Sequence, residues 1–167
     1  VTRKCKQPSW FAESYAEYII KKYLTSGTIV DPFAGWGTRY DAAIKCHKEY
    51  IGCDLNPELV KWHAEKGRKI QLNDAKEFKF EGECDVFICP PYKDTEVYFT
   101  GQDSLLTQCE WLEIVRNNVP NANRYVMVCK VVDPGYEQYI LEEKVNKSHF
   151  GINKEYVLVI DNNYRSN

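Results

Sequence analysis

The sequence predicts an α/β fold: a mostly parallel, seven-stranded sheet with helices on both faces and an antiparallel hairpin at its C-terminal edge. Three observations predict it. Short β-branched or apolar runs alternate with segments of helical spacing through most of the chain. The runs end at turn chemistry, as in Asp31-Pro32, Asn56-Pro57 and Pro90-Pro91. Two β-like segments then close the chain with no helix between them.

Taken in order, Trp10–Leu24 carries Phe11, Tyr15, Tyr18 and Ile19 at helical spacing, and Ser9 after Pro8 is placed to cap it. Thr28–Asp31 is a β-branched run broken at Pro32, and a helix is expected from Thr38 to Cys46. Tyr50–Asp54 reads as the second strand. Asn56-Pro57 caps the next helix, which Gly67 stops. Lys69–Leu72 and Asp85–Cys89 read as the third and fourth strands, and Ser104–Asn117 as a helix with Leu105, Cys109, Leu112 and Val115 near one side. Arg124–Val132 is the most hydrophobic strand and therefore a central one. Pro134–Val145 is expected to be the last helix. His149–Ile152 and Glu155–Asp161, joined through Asn153-Lys154, are expected to form the terminal hairpin.

The 167 residues contain no repeat, linker or long charge block, so a single domain spanning 1–167 is expected, with a segment missing ahead of Val1. With 44% hydrophobic and 14% aromatic residues the chain is neither disordered nor of low complexity. A net charge of −2 excludes nucleic-acid binding through bulk positive charge, and its apolar runs are too short to cross a bilayer. The seven cysteines form no C-x-x-C pair and sit in apolar company; neither a metal site nor a disulfide framework is expected, and the compartment expected is the reducing cytoplasm.

Parallel sheets bind ligands beyond the carboxyl ends of their strands, and the sequence concentrates its chemistry there. Asp31-Pro32-Phe33-Ala34-Gly35-Trp36-Gly37-Thr38 follows the first strand and opens a helix. Its glycines permit a sharp turn, but Tyr40 occupies the last position of a dinucleotide-type G-x-G-x-x-G. A carboxylate at the strand end, Asp31, suits a ligand bearing positive charge and repels phosphate. Asp54 ends the second strand, where acids commonly take ribose hydroxyls. Asp74, in Leu72-Asn73-Asp74, is placed to accept a proton from an adenine amino group or simply to shape a turn.

The segments DPFAGWGT (31–38), GCDLNP (52–57) and Cys89-Pro90-Pro91-Tyr92 resemble the cofactor loop, ribose segment and catalytic tetrapeptide of the S-adenosylmethionine-dependent DNA amino-methyltransferases, the adenine-N6 and cytosine-N4 type. The resemblance implies a Rossmann-like methyltransferase fold. It implies S-adenosylmethionine contacts at Trp10, Asp31, Phe33, Ala34, Gly35, Gly37, Thr38, Asp54, Leu55, Asn73 and Asp74. In that tetrapeptide an Asp, Asn or Ser oxygen and the next carbonyl accept the amine's two N–H bonds and aim its lone pair at the methyl group. The aromatic residue stacks on a base flipped from its helix. This assigns catalysis to Cys89, Pro90, Pro91 and Tyr92, with Pro90 supplying the carbonyl.

Cys89 departs from the pattern, because a thiol is a weak acceptor. Three outcomes follow: slower transfer to an amine, carbon-five modification of a pyrimidine with Cys89 as nucleophile, or a catalytically weak cofactor-binding module assisting a partner. Related loops also occur in guanine-directed RNA methyltransferases. The expected partner is nucleic acid, foremost DNA. No insertion is left for a target-recognition domain, so selectivity is expected from a partner chain, an absent segment or short loops. Lys93 and Tyr98 in the loop after Tyr92, together with His149, are the expected substrate contacts beside Tyr92.

Overall fold

Buried side chains alternate along the strands, and the alternation splits the core into two layers, one on each face of a single sheet. The structure is a computed structural model that describes residues 12–92, 105–149 and 151–164. Its elements run α1 (Glu13–Tyr23), β1 (Thr28–Asp31), α2 (Thr38–Lys45), β2 (Glu49–Asp54), α3 (Pro57–Glu65), β3 (Ile70–Leu72), β4 (Cys84–Ile88), α4 (Gln108–Asn118), β5 (Ala122–Cys129), β6 (Ile140–Ser148) and β7 (Gly151–Asp161).

The strand order is β3-β2-β1-β4-β5-β7-β6. The first five strands are mutually parallel, and β7 runs antiparallel to both β5 and β6. On one face Ile29, Phe87, Val126 and Val128 pack against Ala16, Ile19, Ile20 and Tyr23 of α1 and Ala42 and Ala43 of α2. On the other, Val30, Val86, Ile88, Tyr125 and Met127 meet Cys109, Leu112 and Val115 of α4. The order reverses between β1 and β4, which lie side by side but lead their crossovers in opposite directions. That switch point opens a crevice at their carboxyl ends.

Local chemistry fixes the helix starts. Asn56 accepts from the Glu58 amide at 3.0 Å with Pro57 in the first turn of α3, as the sequence indicates. The helix α4 starts later than expected, at Gln108. Thr107 and Glu110 form a reciprocal capping box, with bonds of 3.0 and 3.1 Å, and Leu105 is left 69% exposed outside the helix.

The largest correction concerns the chain's end. The segment expected as a helix from Pro134 to Val145 holds only one 3-10 turn, Glu137–Tyr139, and then becomes β6. The hairpin is therefore Ile140–Ser148 with Gly151–Asp161, turning at His149 rather than at Asn153-Lys154. Gly135, at φ +94°, turns the chain ahead of it, and a continuous ladder from Glu142–Val157 to Ser148–Gly151 overrides the helical preference of Leu-Glu-Glu-Lys.

Candidate active site

The glycine loop is held by the strand beside it. Beyond β1, the Ala34 amide donates to the Cys53 carbonyl at 2.9 Å, and the Gly35 amide donates to Asp54 Oδ2 at 2.8 Å. Gly35 and Gly37 adopt φ of +54° and +81°, which a side chain disfavours. A Cβ on Gly37 would also stand 2.6 Å from His63 Cε1. Gly37→Ala is therefore expected to cost about 2 kcal/mol or more, read as a lowered denaturation midpoint.

Behind the loop lies His63 of α3, fully buried, with Nε2 2.7 Å from the Gly35 carbonyl. A carbonyl only accepts, so Nε2 carries the proton and Nδ1 presents a lone pair. Burial, with the charge of Arg68 nearby, lowers the His63 pKa and keeps the ring neutral. The sequence reading passed over His63, although its place four residues after buried Leu59 puts it on the inner side of α3.

Asp31 does not present a free carboxylate. It is fully buried; Oδ1 accepts from the Phe33 amide at 3.0 Å, and Oδ2 accepts from Arg39 Nε at 2.7 Å and from the Tyr50 hydroxyl at 2.6 Å. The Arg39 guanidinium, itself 6% exposed, also donates to the Phe33 carbonyl. The expectation that Asp31 faces a ligand's cation is thus corrected: an internal cation already balances it, and the pair braces the loop from beneath.

Asp54 remains at the crevice. Its two oxygens accept from the amides of Asn56 (2.9 Å) and Gly35 (2.8 Å), and each retains acceptor capacity for a hydroxyl. Burial raises its pKa from the ordinary carboxylate value, against the two amides, which favour the charged form. Asn73 continues the same edge: its amide donates to the Asp54 carbonyl at 3.1 Å, and its side chain caps the Asp74 amide at 2.9 Å. Asp74 Oδ1 accepts from the Lys76 amide at 2.9 Å, so one of its oxygens shapes the turn. Phe33 packs edge-on against Trp111 with ring centroids 5.3 Å apart, Ala34 is buried, and Thr38 and Leu55 are partly exposed. Trp10 lies outside the described residues.

The turn Cys89–Tyr92 leaves β4 across the crevice from the glycine loop. Cys89 is partly buried, with Sγ 3.8 Å from the Tyr92 hydroxyl. Burial raises its thiol pKa, although the Arg39 charge and the Tyr92 hydroxyl pull the other way. Pro90 and Pro91 are buried, and the Pro90 carbonyl accepts from Gln108 Nε2 at 2.9 Å. Gln108, 3% exposed at the start of α4, also accepts from the Lys130 amide at 2.8 Å, tying the turn to the end of β5. Tyr92 is 5% exposed, with the Lys130 ammonium 4.2 Å from its ring centroid. Sequence reasoning missed Gln108 and Lys130; neither belongs to a motif, and only the pairing of β4 with β5 brings them to the turn.

Lys93 and Tyr98 lie outside the described residues. His149 is exposed at the tip of the β6–β7 hairpin. Because β7 pairs Tyr156 with Cys129 at the end of β5, the tip overhangs the carboxyl edge of the sheet.

The DNA methylase family model for N6 and N4 methylation matches residues 2–66, a stretch that contains the glycine loop and Asp54 and ends before Cys89. No curated protein matches the chain. Among solved structures, yhhF of Escherichia coli, assigned as a methyltransferase, superposes with a TM-score of 0.59 at 14% identity, covering 93% of this chain and 89% of its own. Magnesium protoporphyrin IX methyltransferase from Synechocystis, solved with bound S-adenosylmethionine, gives a TM-score of 0.55 at 11% identity, over 88% and 76%. The glycopeptide N-methyltransferase MtfA gives 0.51 at 16% identity, over 90% and 69%. The chain has the Rossmann-like fold of these methyltransferases. Among the described residues, no helix is long and apolar enough to cross a membrane.

Proposed function

We propose that this chain transfers a methyl group from S-adenosylmethionine to the exocyclic amino group of a DNA base, adenine or cytosine. One observation carries the reading: a glycine loop with an adjacent free-edged acid, Asp54, and a Pro-Pro-Tyr turn flank one crevice, at the carboxyl ends of neighbouring strands β1 and β4. The match of residues 2–66 to the DNA methylase model supports the substrate class.

The residues present suit the cofactor. Asp54 offers two partly satisfied oxygens to a ribose diol, and the backbone of Ala34–Gly37 is pinned open beside it. The bound cofactor supplies an electrophilic methyl group. The protein's task is to orient the amine. The Pro90 carbonyl, held in place by Gln108, keeps a second lone pair for an N–H of the base, and Tyr92 supplies the stacking surface. Asp54→Ala is expected to weaken S-adenosylmethionine binding by about 10-fold or more, since a charge-assisted hydrogen bond is worth about 1.5–3 kcal/mol. Calorimetry that finds unchanged affinity would remove Asp54 from the site.

The direct test incubates the chain and methyl-tritiated S-adenosylmethionine with DNA and with RNA, then hydrolyses each to nucleosides. Label is expected in N6-methyldeoxyadenosine or N4-methyldeoxycytidine. Label confined to ribonucleosides would move the substrate to RNA. A second reading, a cofactor-binding module with weak catalysis, is favoured by one feature: Cys89 stands where an oxygen acceptor is needed. Cofactor binding with no labelled nucleoside would support that reading instead.

A further inference from the structure

Lys130 follows the last residue of β5 and has no part in the motifs discussed above. Its backbone is fixed, because its amide donates to Gln108 Oε1 at 2.8 Å while the same side chain donates to the Pro90 carbonyl at 2.9 Å. Gln108 is buried, so one amide group sets the spacing between the Pro-Pro-Tyr turn and the root of Lys130. From there the ammonium lies 4.2 Å from the centroid of the Tyr92 ring. Among the described residues it makes no ion pair. The basic side chains Arg39, Arg116 and Arg124, by contrast, are each committed to a carboxylate.

A cation on the face of the stacking residue occupies the place a base would take. Tyr92 is 5% exposed with the ammonium on its ring, so a base stacks there only by displacing the ammonium. The displaced charge then stands beside a nucleotide that brings its own phosphate. We propose that Lys130 is a phosphate-binding group for the target nucleotide, held on the Tyr92 ring until the base takes its place. This rests on the nucleic-acid reading above and adds to it the residue that couples base entry to backbone recognition. It also supplies a local positive charge where the chain as a whole, at −2, offers none.

The test is the salt dependence of binding to a fluorescently labelled single-stranded oligodeoxynucleotide, followed by anisotropy between about 50 and 200 mM salt. Each phosphate neutralised on a single strand contributes about 0.7 to the slope of log K against log salt. Lys130→Met, which keeps the apolar stem on Tyr92, is expected to make the slope shallower by about 0.7. Lys130→Arg is expected to keep the wild-type slope, and both variants are expected to keep the wild-type affinity for S-adenosylmethionine and the wild-type melting temperature. A wild-type slope in folded Lys130→Met, or in Lys130→Gln should the first variant unfold, overturns the assignment while leaving the proposed function intact. Absence of oligonucleotide binding by the wild type overturns both.

Discussion

Asp31→Ala is expected to destabilise the fold by about 3–5 kcal/mol, the cost of leaving a buried cation without its partner. The substitution strands the Arg39 guanidinium beneath the glycine loop and removes the acceptor of the Tyr50 hydroxyl and the Phe33 amide. Burial, with the charge of Asp31, already holds the Tyr50 hydroxyl well above its ordinary pKa, so that hydroxyl stays protonated and needs an acceptor. In chemical denaturation the midpoint falls while the denaturant slope stays constant. Asp31→Leu combined with Arg39→Met removes both charges and is expected to recover much of the loss, because an apolar pair of similar volume often replaces a buried ion pair at little cost. A variant Asp31→Ala that melts like the wild type but no longer binds S-adenosylmethionine would show instead that the carboxylate serves the ligand.

The contrast between Asp31 and Asp54 marks what was legible in the sequence. Both stand at strand ends, and strand position follows from β-branched runs closed by proline or Asn-Pro, so both sites could be placed before any coordinates. Charge balance could not. Arg39 lies eight residues beyond Asp31, in the first turn of α2, and only the sharp turn at Gly35 and Gly37 brings it back under the strand end. Gln108 and Lys130 were hidden for a related reason: each is an ordinary polar residue until the β4–α4–β5 crossover sets Gln108 between the Pro90 carbonyl and the Lys130 amide. The same limit explains the last helix that became a strand. Residues 140–148 have helical composition, and the partner that commits them to β structure, β7, follows them in sequence. Strands β1, β4 and β5 needed no such knowledge, because buried parallel strands carry their signal in their own apolar runs.

On the proposed function, Cys89→Asn is expected to raise the rate of methyl transfer by about 10-fold. The thiol is partly buried, its pKa is raised by burial, and its sulfur lies 3.8 Å from the Tyr92 hydroxyl. At neutral pH it is therefore a protonated sulfur, a weak acceptor for an amine's N–H and a poor nucleophile. An amide oxygen at this position restores a hydrogen bond worth about 1–1.5 kcal/mol, and 1.4 kcal/mol realised in the transition state is a factor of about 10. Asn avoids the desolvation cost that a carboxylate would bring to the same place. Cys89→Ser is expected to stay within a few-fold of the wild type, because a hydroxyl accepts at least as well as a thiol. The route through a covalent pyrimidine adduct predicts the opposite. It requires the thiolate that burial opposes, so Cys89→Ser would abolish turnover and a 5-fluorocytosine oligonucleotide would trap the protein. Intact-mass spectrometry after incubation with that oligonucleotide and S-adenosylmethionine is expected to show the unmodified chain. A mass increase equal to the oligonucleotide with its transferred methyl group, lost in Cys89→Ser, would establish carbon-five chemistry. Inactivity of the wild type and of Cys89→Asn alike, with cofactor affinity retained, would establish a module that binds without transferring.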